Sequence, residues 1–314
     1  MTETCTVCKR KPPVYFRKYS GEKLCKKCFC ESIEEKVRAT IAKYEMLEFN
    51  DKTMIAVSGG KDSLTLLRIL HKIEQEFPKA EICAVTIDEG IKGYRDEAVK
   101  LAEQAYAELD IEYTVLSFKE LYGYTLDEIA EIARKRGKGL TPCAYCGVLR
   151  RRAMNIAAKK ANATKLATAH TLDDEAQTVL LNLFHGDVWR IARVKPVTDE
   201  VHGGLVRRIK PLCEVLERET ALYAYFKKIR FQSVPCPYAG TALRNDIRSM
   251  LNRMEEKHPG IKYTVFRSAE KIREALEESL EKGELRTCEV CGEPTVGRIC
   301  KVCEVLEELR INVE

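Results

Sequence analysis

Apolar residues in the middle of the chain follow two rhythms. Short apolar-rich runs at 53–57, 82–87, 112–116 and 165–169 predict strands buried on both faces. Between them apolar positions recur at helical spacing, which predicts helices over 64–73, 97–109, 126–135, 149–160 and 174–184. A further helix over 32–47 precedes the first strand, with Ile33, Val37, Ile41, Tyr44 and Leu47 close to helical spacing. After Pro211 the pattern turns helical, over 214–229, 241–257 and 268–282. Strand–helix alternation of this kind predicts an α/β fold, a parallel sheet with helices on both faces. Ligands then collect at the carboxyl ends of the strands.

Composition narrows the class. With 314 residues, 45% hydrophobic and 32% charged, the chain exceeds one minimal domain and has material for a sizeable core. No apolar run approaches the ~20 residues of a membrane span, and the start at Met1 lacks a basic-then-apolar signal pattern. The expectation is a cytoplasmic protein with no membrane partner, where disulfides are rare. The 14 cysteines then read as metal or redox sites. Charge is unevenly spread: between Ala133 and Leu172 there are ten Lys or Arg and no acid, whereas Glu270 to Glu314 holds twelve Glu against seven Lys or Arg. The basic stretch is either a polyanion-binding surface or a solvated face.

Cysteine spacing divides the chain. Cys5, Cys8, Cys25 and Cys28 form two CxxC pairs near the start, and Cys288, Cys291, Cys300 and Cys303 repeat the form near the end. Each set offers four thiolates to a tetrahedral Zn²⁺ with no position left open, so two structural zinc ions are expected. The implied division is an N-terminal zinc ribbon over 1–31, a catalytic segment with linking helix over 32–258, and a helical segment with a second knuckle over 259–314. A fifth CxxC, Cys143 and Cys146, lies inside the middle segment, and Cys236 sits between Pro235 and Pro237 on backbone biased to extended conformations. A redox dithiol and a zinc site lacking its fourth ligand are both open for the inner pair. Cys83, within a predicted strand, reads as core.

The sharpest motif is Ser58-Gly59-Gly60-Lys61-Asp62-Ser63, directly after the first strand and at the start of a helix. Glycines permit a tight turn, and free N–H groups with the helix dipole favour an anion. The hexapeptide is not a Walker A loop. It resembles the SGGxDS loop of the N-type ATP pyrophosphatases, which cleave ATP between the α- and β-phosphates and adenylate an oxygen. Ala169-His170-Thr171-Leu172-Asp173-Asp174 is similar to the GHxxDD element of the RNA-modifying members, with Ala169 at the usual glycine. A helix cap would equally explain one of the two aspartates. The resemblance implies a PP-loop fold that binds ATP and Mg²⁺, with Lys61, Asp62 and Asp174 catalytic, His170 lining the nucleotide, and Ala56 and Ile87 near the adenine.

The stretch from Cys143 to Arg151 resembles the tRNA 2-thiouridine synthetases. That family implies a [4Fe–4S] cluster on Cys143, Cys146 and Cys236, with one iron free to hold sulfide; the rival within the family is direct chemistry by the Cys143 and Cys236 thiols. The implied activity is ATP-dependent adenylation of a uridine C2 oxygen followed by sulfur transfer. The implied partners are tRNA, a sulfur donor (sulfide or a ubiquitin-like thiocarboxylate carrier) and a second copy of the chain. Arg150, Arg151, Arg152, Lys159 and Lys160 are the expected RNA contacts. The segment from Leu183 to Arg193 looks like the wobble-uridine branch, with His185 at the Arg of its RGD-like element. Alternatives are thiolation of the T-loop uridine, cytidine 2-thiolation, and a zinc-ribbon tRNA-binding protein that holds ATP without catalysis.

Overall fold

The computed structural model describes residues 3–137, 140–198, 204–239, 243–276 and 286–311. A hairpin, β1 (Tyr15–Arg17) and β2 (Glu22–Leu24), leads into α1 (Lys26–Lys43). The α/β body follows as β3 (Lys52–Ala56), α2 (Lys61–Glu74), β4 (Glu81–Asp88), α3 (Arg95–Leu109), β5 (Glu112–Ser117), α4 (Phe118–Tyr122), α5 (Leu126–Lys135), α6 (Pro142–Lys160), β6 (Lys165–Ala167), α7 (Leu172–Phe184), α8 (Val188–Ala192) and β7 (Arg207–Ile209). Helices α9 (Glu217–Phe226), α10 (Leu243–Lys257) and α11 (Ile261–Leu276) come next, then a second hairpin, β8 (Arg286–Thr287) with β9 (Pro294–Thr295), and α12 (Lys301–Glu308). Among the described residues no helix is long and apolar enough to cross a membrane.

The body is a five-stranded parallel sheet in the order β5-β4-β3-β6-β7. The chain lays β4 and β5 on one side of β3, then returns to place β6 and β7 on the other. The reversal between β3 and β6 is a topological switch point, and a crevice opens beyond the strand ends there. Alternate strand residues serve opposite cores. Ile55, Ala84 and Ala167 pack with Cys5, Cys25, Cys28, Phe29, Ile33, Leu64 and Leu67. Met54, Val85 and Leu166 pack with Tyr145, Leu149, Cys288, Cys300, Cys303 and Val305. Both cysteine-rich ends are thus built into the cores of the body, and Cys83 is buried in the second one as expected.

Boundaries differ from the sequence expectation in instructive places. α6 begins at Pro142 rather than 149. Its start is marked by a Pro at the first helical position and a Thr141 cap that accepts from the Ala144 amide at 3.3 Å, not by apolar periodicity. Cys143 and Cys146 therefore ride on the first turns of a helix. The sheet-edge strand β7, three residues of sequence RRI, is too short and basic to show as an apolar run. α11 starts at Ile261 rather than 268, and the expected helical positions 241–242 and 277–282 lie outside the described residues.

Candidate active site and metal centres

The phosphate loop leaves β3 after Ala56 and enters α2 at Lys61, with Gly60 as its cap. Gly59 has φ +81°, and a Cβ there would lie 2.3 Å from the Ala98 carbonyl oxygen, so only glycine fits. Ser63 Oγ accepts from the Ser58 amide at 3.1 Å and donates to the Gly60 carbonyl at 2.9 Å, closing the loop on itself. Behind it, buried Arg95 donates to the Ser58 carbonyl at 2.9 Å and pairs with Glu89 at 2.7 Å. Arg95 also donates to the carbonyl of Ile87, at the end of β4, at 2.5 Å. Nothing in the sequence flagged Arg95, which carries no motif of its own.

Lys61 points along α9. Its ammonium lies 2.9 Å from Asp62 and 2.7 Å from Glu217, and Thr220 donates to Asp62. Burial raises the Asp62 carboxyl above its usual range, against the pull of Lys61 and Thr220. Burial likewise opposes the Lys61 charge, but Asp62 and Glu217 outweigh it and raise the ammonium. Glu217 and Thr220 fall in a helix the periodicity foresaw, yet their role depends on tertiary contact alone.

The two aspartates after His170 divide their work. Asp174 Oδ2 accepts from the Thr171 amide and hydroxyl, both at 2.9 Å, in a capping box. Asp173 is buried, accepts from the Glu217 amide at 2.7 Å and pairs with Lys262, joining α7, α9 and α11. His170 Nδ1 lies 2.9 Å from Thr168 Oγ1, just beyond β6, and Ala169 is half-buried between them. His170 is exposed to solvent on one part of its surface and crowded by protein atoms on the rest. That crowding and the Lys210 charge push its imidazole down to about 4, against Asp174. The folded state therefore binds this proton less readily than the unfolded chain. The contribution of neutral His170 to stability is complete above about pH 6.5 and is lost as pH falls toward 4. We expect His170→Gln to flatten the stability–pH curve between those values; denaturant midpoints measured across that window check it, and an unchanged slope would refute it.

Cys143 and Cys146 lie near enough to Cys236 for its charge to act on both thiols. The Cys143 thiol donates to the Tyr238 carbonyl at 3.2 Å, in the turn that follows Cys236. Burial pushes the Cys146 thiol up to about 12, and burial together with negative charge at Cys236 raises Cys143. Gln232 anchors the approach to Cys236: its amide donates to the Gly59 carbonyl at 2.9 Å and its side chain to Tyr94 at 3.2 Å. Only Ser233, Val234 and Pro235 therefore separate a contact with the phosphate loop from the third inner cysteine. Sequence reasoning missed Gln232, since its function is a main-chain contact.

The terminal sets share one design. In each, a turn after the first CxxC closes with a residue at positive φ (Lys9 at 54°, Gly292 at 73°) whose amide bonds back to the first cysteine. The second CxxC starts a helix, with Cys25 capping α1 and Cys300 capping α12. The four sulfurs of each set lie within 4.8 Å of one another. Burial disfavours the Cys5 and Cys288 thiolates, but backbone N–H groups outweigh it and bring each thiol down to about 6. Burial instead raises Cys28, to about 12, and Cys300 and Cys303, so it is the convergence of four thiols in each set that suits a closed tetrahedral ion. The inner triad does not contract to that spacing.

The basic residues separate. Arg150 is 47% exposed in its side chain and reaches Glu89 at 3.4 Å inside the cleft. The Arg151 guanidinium lies over Gly147, and Arg208 donates to the Arg151 carbonyl at 3.0 Å. Arg152 turns instead to the C-terminal knuckle, 3.3 Å from Cys291 Sγ. Lys159 lies 3.4 Å from Glu293, and Lys160 is exposed.

Residues 30–255 match the PP-loop domain model, and residues 4–30 match the model described as 2-thiouridine synthetase TtuA, N-terminal LIM domain. A probable sulfurtransferase of Methanocaldococcus jannaschii is 38% identical, covering 94% of this chain and 85% of that protein. The tRNA 2-thiolation protein NcsA of Haloferax volcanii is 35% identical over 97% of this chain and 98% of that protein. Among solved structures, the U34-tRNA thiolase NcsA from Methanococcus maripaludis with its [4Fe–4S] cluster superposes with a TM-score of 0.85 at 35% identity, covering 98% of this chain and 97% of the other. By the extent of these matches, from the N-terminal knuckle through the PP-loop body, this chain belongs to the tRNA 2-thiouridine synthetase family of the PP-loop superfamily.

Proposed function

We infer that this protein is a cytoplasmic tRNA sulfurtransferase that uses ATP to replace the C2 oxygen of the wobble uridine by sulfur. The observation that carries the reading is the loop from Gln232 to Cys236, hydrogen-bonded to the phosphate loop at one end and ending at the inner cysteines. That connection supports an activating site and a sulfur site close to each other, as a two-stage reaction on one base requires. The U34 specificity of the Methanococcus relative supports the wobble position.

The α2 amides and Lys61 would hold the phosphates, with Mg²⁺ accompanying them, and leave the α-phosphate open to the uridine C2 oxygen. Attack there expels pyrophosphate and converts a poor leaving group into AMP. Glu217 and Asp62 hold the Lys61 ammonium until phosphate competes for it. Arg150 and Arg151 stand midway along α6, where they can meet the RNA backbone, with Lys159 and Lys160 at its end. Three thiols that converge without closing on a single ion fit Cys143, Cys146 and Cys236 as ligands of a polynuclear cluster, whose chemistry when bound is to present sulfur to the activated base. We assign one Zn²⁺ to each terminal set.

The test is anaerobic protein incubated with unmodified tRNA, ATP and sulfide, followed by nucleoside mass spectrometry. Formation of 2-thiouridine at the wobble position is expected; ATP cleavage without any thionucleoside would overturn the reading. Lys61→Ala is expected to lower adenylation by roughly 10²–10³-fold, as for loss of one preorganised electrostatic contact, with tRNA affinity unchanged. Pyrophosphate release and filter binding measure the two; equal turnover by variant and wild type at saturating ATP would remove Lys61 from the site.

A further inference from the structure

Arg150, Arg151 and Arg152 are consecutive, and successive residues of a helix point about 100° apart. Arg150 reaches Glu89, Arg151 covers Gly147, and Arg152 leaves the cleft altogether. Its Nη1 lies 3.3 Å from Cys291 Sγ and 4.0 Å from Cys303 Sγ. Its Nε is buried and has no hydrogen-bond partner among the described residues, so the bonding of this guanidinium is directed at the sulfurs. No side-chain cation donates to Cys5, Cys8, Cys25 or Cys28 among the described residues.

We propose that Arg152 is a positioning residue that couples the C-terminal metal centre to the catalytic helix: its guanidinium is an outer-sphere donor to the Cys288, Cys291, Cys300 and Cys303 thiolates, and metal held there fixes the end of α6 that carries Cys143 and Cys146. The proposal rests on the metal reading of the C-terminal set. Four thiolates around a divalent ion carry a net charge of about −2. In buried surroundings one guanidinium offsets half of it and orients two of the sulfurs. Zinc in turn holds α12 against α6, since Val302, Val305, Leu306 and Leu309 share a core with Tyr145, Leu149 and Ala153. Lys159 with Glu293 makes a second tie between the same helix and the knuckle. Arg152 lies six residues beyond Cys146, about 9 Å along the helix axis. The C-terminal metal therefore acts on the inner cysteines through a rigid element rather than across a hinge.

The experiment uses full-length, zinc-loaded wild type, Arg152→Met and Arg152→Lys, with circular dichroism to establish that each is folded. Alkylation by N-ethylmaleimide in the presence of EDTA is followed cysteine by cysteine by peptide mass spectrometry, and amide exchange is followed over residues 143–150. In Arg152→Met the four C-terminal cysteines should alkylate about tenfold faster, the low end of outer-sphere effects on metal affinity, while the four N-terminal cysteines keep their rate. Exchange over 143–150 should rise in parallel. Arg152→Lys should recover part of both, since it restores charge without the planar fork. Wild type without metal at its C-terminal set would overturn the metal reading and the proposal together. Metal present but alkylation unchanged in Arg152→Met would overturn the proposal alone, as would faster alkylation with no change in exchange over 143–150.

Discussion

Cys236→Ala is expected to lower 2-thiouridine formation by a factor on the order of 10³ or more, because groups that act as a unit lose most of their effect when any one is removed. Cys236 is the member of the inner triad that the fold supplies from a separate loop. Cys143 and Cys146 come together by helical spacing on α6, whereas Cys236 reaches them only because Gln232 is fastened to Gly59 and the Cys236 carbonyl accepts from Ala239 at 3.0 Å in the turn that follows. The variant should retain both zinc ions and adenylation, since neither the terminal thiols nor the Lys61–Asp62–Glu217 group contacts residue 236 among the described residues. Iron content, pyrophosphate release and nucleoside analysis on one preparation separate the three. A triple Cys143/Cys146/Cys236→Ala variant should be no worse than the single one. If it is far worse, the cysteines act independently, and direct thiol chemistry displaces the cluster. Full activity in iron-free wild type would have the same consequence.

The chain's chemistry was legible in sequence to the extent that it is local. The phosphate loop, the four terminal CxxC pairs and the α/β alternation all depend on spacing within a few residues, and spacing survives in one dimension. Contacts across the fold leave no such trace. Arg95 behind the loop, Glu217 and Thr220 on Lys61 and Asp62, and Gln232 on Gly59 are ordinary residues until the sheet closes. Arg152 shows the reverse. As one of three adjacent arginines it reads as an RNA contact, but helical rotation turns it to Cys291. The pair Asp173-Asp174 shows why a motif constrains position better than role. One carboxylate caps its own helix and the other braces two distant ones, and only tertiary structure distinguishes them.

The N-terminal knuckle provides the other large expected effect. Cys28→Ala should release one zinc and lower the thermal midpoint by ~5 °C or more. The reasoning runs from the metal outward. Cys25 and Cys28 open α1, and the hairpin β1–β2 carries Arg17, whose guanidinium pairs at 2.8 Å with fully buried Glu219 on α9. The zinc assigned to this set would hold that hairpin to the helix, because a segment with two three-residue strands cannot fix itself by its own ladder. Without the metal, Arg17 and Tyr19 leave Glu219 with Lys36, 3.6 Å away, as its remaining ion-pair partner, a penalty at the low end of about 3–5 kcal/mol. At roughly 2–4 °C per kcal/mol for chains of 150–250 residues, and somewhat less for a longer one, ~3 kcal/mol alone accounts for most of that shift. The damage should also travel. α9 carries Glu217 and Thr220, so the phosphate loop loses the partners that hold Lys61 and Asp62. Calorimetry on zinc-quantified protein, together with the KM for ATP, measures both consequences. A variant that loses its zinc yet keeps its melting midpoint would mark the knuckle as an appendage. A lowered midpoint with an unchanged KM would confine its influence to the hairpin and α1, and would break the proposed path to the phosphate loop.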